Sequence, residues 1–141
     1  MKLEDQLCSL ELAKQLKEAG VKQDSVWSWY YNMTGHEWRE NEVWWRLQLT
    51  KKELIGNCYM IAAFTVAELG EMLPSIFDNY DLTIIKQVSD EWRISYYYNT
   101  ITFEDKWMLS NQWIEAKTEA DARAKMLIYL IDQGIINQED I

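Results

Sequence analysis

The apolar positions near the start of the chain predict an amphipathic helix. Ser9 can cap its first turn, and Gly20 supplies the left-handed backbone position at which helices often end. The apolar residues between them recur at helical spacing and share one face: Leu12, Ala13, Leu16 and Ala19. This face is expected to pack on the core.

Farther along, the apolar pattern changes to a period of two, which is typical of strands. Residues 26–31 are rich in aromatic side chains, with Trp27, Trp29 and Tyr31 on one face. Residues 43–50 alternate most regularly, which predicts a half-buried strand with a core face of Val43, Trp45, Leu47 and Leu49. Further strands are predicted near residues 82–88, 91–98, 101–108 and 112–117, while the apolar run 57–64 fits either a strand or the approach to a helix.

Two more helices are predicted from their caps. Thr65 and Glu68 have the spacing of a capping box, so a short helix is expected over residues 66–73, ending before Pro74. Thr118 can cap a longer helix that ends at Gly134. Its apolar stripe contains Ala124, Leu127, Ile128 and Ile131.

This order of elements predicts an α+β fold. We expect one antiparallel sheet of about five to six strands, with the N- and C-terminal helices on one face and one short capped helix. The 141 residues show no repeat and no linker, so residues 1–141 are expected to form a single domain.

Composition excludes several classes of protein. The chain has 14 Lys and Arg against 23 Asp and Glu, a net charge of −9, which argues against general binding to nucleic acid. No apolar run suits a membrane helix, and residues 1–5 lack the apolar core of a secretion signal, so a cytoplasmic location is expected. Cys8 and Cys58 are therefore expected to be free thiols.

Catalytic and metal chemistry has little support in the sequence. His36 is the only histidine, and it lies in a stretch that is typical of a turn. No clustered Cys and His ligands and no phosphate-binding or nucleophile motif is present, so we expect no catalytic residue, no metal site and no cofactor. Hydrolysis of a signalling nucleotide, with His36 as the acid-base residue, stays open as a third hypothesis.

The aromatic content gives the main functional signal, with 8 Trp, 8 Tyr and 3 Phe in the chain. Most of these rings fit a core between sheet and helices. The residues expected on the opposite strand face combine rings with arginines: Tyr30, Trp38, Arg39, Trp44, Arg46, Arg93 and Tyr97. Such a face suits a second packed layer or homodimer contact, a surface for a partner protein, or a pocket for a small ligand.

Three blocks of the sequence stand out for their specific pattern: LEDQLCSLELAKQLKEAGVKQ (residues 3–23), AFTVAELGEMLP (63–74) and TEADARAKMLIYLI (118–131). Together they resemble a family of small accessory proteins of phages and prophages. The resemblance implies an accessory product that acts in the bacterial host cell, and it implies no reaction or catalytic residue. By analogy with other small acidic phage proteins, it suggests a role against host defence.

Two hypotheses follow for the function. In the first, a non-catalytic protein sequesters a small nucleotide-like signal, such as a cyclic nucleotide, in a pocket lined by the aromatic and Arg residues. In the second, an acidic inhibitor or adaptor binds and blocks a host defence protein, which the clustered Asp and Glu residues favour. The residues alone leave both open.

Overall fold

A computed structural model describes residues 1–32, 45–50, 58–77, 80–98 and 113–141. The helices are α1 (Leu10–Glu18), α2 (Val66–Met72) and α3 (Glu119–Asp132), with short 3₁₀ turns at Leu3–Gln6 and Gln138–Asp140. The strands are β1 (Trp27–Asn32), β2 (Arg46–Leu49), β3 (Cys58–Ala62), β4 (Ile76–Phe77), β5 (Tyr80–Lys86), β6 (Trp92–Tyr98) and β7 (Ile114–Ala116). The predicted α+β class is confirmed. The strand predicted over residues 101–108 lies outside the described residues.

The prediction of a single sheet was wrong, because the strands that the structure describes form two separate antiparallel sheets. The first has the order β2-β1-β3, and the second has the order β4-β5-β6-β7. The chain leaves the first sheet at the end of β3, enters α2 directly, and starts the second sheet at Ile76. Period-two patterns show where strands are but not which strands pair, so the division was not visible in the sequence.

The capping box predicted for α2 is present, and it also holds the first sheet in place. The Thr65 hydroxyl accepts from the Glu68 N–H, and the Glu68 carboxylate accepts from the Thr65 N–H at 2.7 Å. The same carboxylate accepts from the Val26 N–H and the Ser25 hydroxyl, both at 3.0 Å. Glu68 therefore joins the start of α2 to the segment that leads into β1.

Helix α1 follows its predicted pattern on the buried side. Leu12, Ala13 and Leu16 are buried, and Gly20 has a positive φ of 86°. Ser9 lies at the N-cap position but does not cap with its side chain. Its N–H instead donates to Asp121 Oδ1 at 2.7 Å, which joins the first turns of α1 and α3.

The core lies where the helices meet both sheets. Helix α1 contacts β3, α3 contacts β6 and β7, and both α1 and α2 contact α3. One cluster of buried side chains draws residues from all these elements, among them Leu16, Ile61, Phe64, Ile94 and Leu127. Within the described residues, no helix is long and apolar enough to cross a membrane.

Strand β2 departs from the prediction of a half-buried strand. Leu49, predicted to face the core, is 54% exposed, and Leu47 is only half-buried. Trp45 does pack against the core, and Val43 lies outside the described residues. Because β2 is an edge strand of the small first sheet, the core reaches only the residue at its beginning.

Candidate functional site

The predicted binding residues separate into two groups on different sheets. Tyr30 lies in β1 and Arg46 in β2, whereas Arg93 and Tyr97 both lie in β6. Trp38, Arg39, Trp44 and the candidate acid-base residue His36 lie outside the described residues. The four predicted residues that the structure describes thus lie in two pairs, one on each sheet.

The pair on the first sheet offers only one accessible side chain. Tyr30 and Arg46 are register partners, so they share a face of the sheet. Tyr30 is 7% exposed, so its ring is covered, while Arg46 is exposed. Of this pair, only the Arg46 side chain is open to a partner.

The pair on the second sheet belongs to a broader surface. Ile94 and Tyr96 of β6 are buried against the helices, so the alternate residues of β6 point to the opposite side. We call this side of the second sheet the outer face. Its residues, taken from the strand register, are Asp81, Thr83, Ile85, Arg93, Ser95, Tyr97 and Glu115, and Trp113 joins them just before β7. Ser95 is buried on this side, with only 2% of its surface exposed.

The centre of the outer face is an arginine held by a carboxylate. Arg93 donates to Glu115 Oε1 from Nε at 3.1 Å and from Nη2 at 2.7 Å. Gln87 Nε2 donates to the same oxygen at 3.0 Å. The Arg93 guanidinium also lies 4.9 Å from the centre of the Trp113 ring, within the range of a cation–π contact.

This cluster keeps hydrogen-bonding capacity for a partner. Among the described residues, no hydrogen bond reaches Arg93 Nη1 or Glu115 Oε2. The hydrogen bonds from Gln87 and Arg93 lower the pKa of Glu115, so the carboxylate stays charged at neutral pH. Since Glu115 neutralises the charge of Arg93, the cluster offers a donor and an acceptor but little net charge.

Large apolar side chains surround the Arg93–Glu115 pair. Ile85 is 48% exposed, Tyr97 is 41% exposed and Trp113 is 52% exposed. Ile85 lies directly across from Arg93 in the register, and Arg93 lies across from Glu115. The three strands therefore present an apolar, a cationic and an anionic side chain in one row.

Trp113 was missed as a site residue in the sequence. A strand was predicted over residues 112–117, and its alternation puts Trp113 on the same side as Glu115, opposite Ile114 and Ala116. The pairing of Arg93 with Glu115 then sets Trp113 beside Ser95. The alternation was visible, but the pairing of β6 with β7 was not.

Within the part of the chain that the structure describes, two cavities lie away from the outer face. The larger cavity has a volume of about 620 Å³. It is lined by apolar residues that include Met72 and Pro74 and by acidic residues that include Glu71 and Asp140. The smaller, about 370 Å³, lies beside the first turn of α3. The smaller cavity is lined by Trp92, Lys86 and Lys117 together with acidic residues.

Cys8 is placed for packing and not for chemistry. It is fully buried, and burial raises the pKa of its thiol to about 12. A thiol in this state is a weak nucleophile at neutral pH. No group of three or more His, Cys, Asp or Glu suited to a metal ion occurs within the residues that the structure describes.

Comparison with protein-family models, curated proteins and solved structures finds no match to the chain.

Proposed function

We propose that this protein is a non-catalytic binding module that uses its outer face to bind another protein. In the phage setting that the sequence resembles, the partner is a host defence protein that the module blocks. Trp, Tyr and Arg are the residue types that most often dominate the binding energy of protein interfaces. The outer face presents one of each, Trp113, Tyr97 and Arg93, with Ile85 beside them.

The single observation that carries the proposal is the fixed position of Arg93 between Glu115 and Trp113. A long side chain usually loses rotamer freedom when it binds, which costs about 0.5–1.5 kcal/mol. Here two hydrogen bonds and a ring contact already restrict the guanidinium before any partner arrives. The Arg93 side chain at the centre of the outer face is thus preorganised for binding.

The charge of the chain supports a basic partner. A net charge of −9 attracts a positively charged protein and speeds their encounter, and this effect weakens as salt screens it. The apolar contacts of Trp113 and Tyr97 would persist in high salt. We therefore expect salt to lower the association rate of the complex while leaving much of the lifetime of the complex unchanged.

The proposal is tested by comparing variants in affinity purification from bacterial cells. The tagged wild-type chain is compared with Trp113→Ala and with Leu49→Ala, because Leu49 is 54% exposed on the other sheet and serves as a matched control. Quantitative mass spectrometry should find a protein retained by the wild type and by Leu49→Ala and lost from Trp113→Ala. The purified pair should then show at least a tenfold loss of affinity, about 1.4 kcal/mol or more, for Trp113→Ala. Equal recovery by all three chains would reject the outer face as the binding surface.

A second function is favoured by the smaller cavity, which combines an aromatic ring with two lysines. Trp92 can stack on a planar base, and Lys86 and Lys117 can meet a phosphate. Lys86 already pairs with Asp90 at 2.8 Å, whereas no ion pair is described for Lys117. This arrangement supports sequestration of a small nucleotide-like ligand at a place other than the predicted Arg residues.

The ligand hypothesis is tested by tryptophan fluorescence titration with linear and cyclic nucleotides. After binding, the mixture is heated and the nucleotide is identified by chromatography. Sequestration predicts saturable binding, intact nucleotide after heating, and weaker binding by Lys117→Ala than by Lys17→Ala, which changes an exposed lysine of α1. A chemically altered nucleotide would instead indicate an enzyme. If no nucleotide changes the tryptophan fluorescence, binding of a partner protein would be the only function left of the two.

A further inference from the structure

Among the described residues, one edge of the second sheet has backbone groups with no hydrogen-bond partner. Strand β4 has only two residues, and it pairs with the first residues of β5. The last hydrogen bond along this edge runs from the Leu82 N–H to the Ser75 carbonyl at 3.0 Å. Beyond Leu82, no described residue pairs with this side of β5.

Two hydrogen bonds fix which residues of β5 face the open edge. The N–H of Leu82 points toward β4, because it donates to Ser75. The N–H of Gln87 points the other way, because it donates to the Glu91 carbonyl in the turn to β6. Since these directions alternate along a strand, the backbone groups of Ile84 and Lys86 point out of the sheet.

The open edge is therefore short and has a defined centre. It offers two N–H groups and two carbonyls, from Ile84 and Lys86, on either side of Ile85. Ile85 itself bonds toward β6, and its side chain is 48% exposed on the outer face. An exposed apolar residue between unpaired backbone groups is a ready template for another strand.

We infer that β5 pairs with β5 of a second copy of this chain, antiparallel and about a two-fold axis at Ile85. Ile84 of each copy then lies opposite Lys86 of the other, and the four free groups form four hydrogen bonds. The two Ile85 side chains meet across the axis and cover each other. Because the free backbone groups of the two copies pair with each other about a two-fold axis, the assembly closes as a dimer.

Neighbouring registers fit less well. An axis at Ile84 would need a strand opposite Leu82, where Ser75 already accepts its N–H. An axis at Lys86 would pair Ile84 with Val88 of the other copy, and Val88 lies in the turn that follows β5 and not in a strand. Only the axis at Ile85 uses all the free groups without either conflict.

The pairing would also enlarge the proposed protein-binding surface. This consequence, unlike the pairing itself, rests on the proposed function. The strands β4, β5, β6 and β7 have 2, 7, 7 and 3 residues, so at ~3.3 Å per residue and ~4.8 Å between strands the outer face covers on the order of 300 Å². A stable protein complex usually buries about 800 Å² on each partner. Two copies joined at β5 double the outer face and bring it closer to that size.

The net charge of −9 on each copy opposes the dimer through long-range repulsion. Lys86 near the axis is already neutralised by Asp90, so local repulsion is small. Salt screens the long-range term. The dimer is thus expected to strengthen with salt, opposite to the salt effect expected for a basic partner.

Cysteine cross-linking of the full chain tests this register without any partner. In the proposed pairing the Cα atoms of the two residues 85 lie about 4.5 Å apart, a separation that a disulfide spans. Ile85→Cys should form a disulfide-linked dimer under mild oxidation. Thr83→Cys is the matched control, since it lies on the same strand face but ~13 Å from its copy. The wild type, treated alike, gives the background from Cys8 and Cys58.

Sedimentation of the unlinked chain completes the test. The wild type should show a monomer–dimer equilibrium that shifts toward dimer with salt, and Lys86→Pro, which removes an outward N–H, should be monomeric with an unchanged circular dichroism spectrum. A wild type that is monomeric at high concentration and salt would overturn the inference. So would equal cross-linking of Ile85→Cys and Thr83→Cys, or a dimer that Lys86→Pro leaves intact. If the dimer is not found, the affinity purification with Trp113→Ala still tests the binding of a partner protein. The two proposals can therefore be rejected independently.

Discussion

Arg93 and Glu115 lie on adjacent strands of the second sheet, and two guanidinium nitrogens of Arg93, Nε and Nη2, donate to a single oxygen of Glu115. This leaves Arg93 fixed and Glu115 with one oxygen that no described residue uses. Because Trp113 lies against the same guanidinium, the cluster combines a ring, a donor and an acceptor in one place. The proposed binding surface is centred on this relationship.

Replacement of Arg93 should change the titration of Glu115. The Arg93→Ala variant loses one of the groups that lower the pKa of Glu115, so this pKa should rise toward its ordinary value of 4.5. Gln87 should keep it from rising fully. The measurement is a pH titration of the Glu115 carboxyl carbon by NMR, with Lys17→Ala as the control that leaves the pKa unchanged. An unaltered Glu115 titration in Arg93→Ala would show that the pair does not form in solution.

Glu68 should contribute to stability in a pH-dependent way. Burial acts to raise the pKa of Glu68, but hydrogen bonds from Thr65, Val26 and Ser25 outweigh it and lower this pKa. Its stabilisation is therefore present above the ordinary value of 4.5 and is lost as the pH falls from there through the lower folded value. The Glu68→Gln variant should lose about 2 kcal/mol of unfolding free energy at pH 7, and less in acid.

The matched control for Glu68 is Glu71→Gln on the same helix. Glu71 is exposed, and no hydrogen bond to it is described, so its replacement should leave stability within about 0.5 kcal/mol. Denaturant unfolding at pH 7 and pH 3 measures both variants. A Glu68→Gln effect that is equal at the two pH values would contradict the role given to the carboxylate.

Two glycines that end helices should differ in their tolerance of a side chain. Gly20 and Gly134 both have positive φ, 86° and 68°, so alanine is strained at either by roughly 1–2 kcal/mol. A Cβ at Gly20 would also lie 3.1 Å from Gln138 Cγ, whereas nothing lies within 4 Å at Gly134. Thermal unfolding should therefore show a larger loss for Gly20→Ala than for Gly134→Ala, and the reverse order would count against this packing.

Phe64 tests whether the core joins the two sheets. It follows β3 directly, is fully buried, and belongs to the same cluster as Ile94 of the second sheet. Phe64→Ala should lower the unfolding free energy by about 3–5 kcal/mol, against less than about 0.5 kcal/mol for the fully exposed Val88→Ala. One unfolding transition at lower denaturant is expected. Two separate transitions would show that the sheets unfold independently.

Local features of the fold could be predicted because short-range chemistry determines them. The Thr65–Glu68 capping box, the Thr118 cap of α3 and the two glycine helix ends all depend on residues within a few positions of each other. The inward side of β6 followed from its own alternation. These signals need no knowledge of the partner strand.

Features that depend on distant residues could not be predicted. The hydrogen bond from the Ser9 N–H to Asp121 joins residues 112 positions apart, and no local pattern indicates it. The division into two sheets likewise depends on which strands pair. For the same reason Arg93 and Tyr97 were found in the sequence while their neighbour Trp113 was not, since Trp113 reaches them only through the pairing of β6 with β7.

The proposed contact between the outer face and a partner protein can be captured by site-specific photo-cross-linking in bacterial cells. A photoreactive phenylalanine analogue is placed at Tyr97, which is 41% exposed on the outer face, and at Val26, which is 60% exposed near the first sheet. Position 97 should give a covalent adduct of one defined mass that is absent from position 26 and is lost when Trp113→Ala is added. The same adducts from both positions, or none from position 97, would contradict the proposed contact.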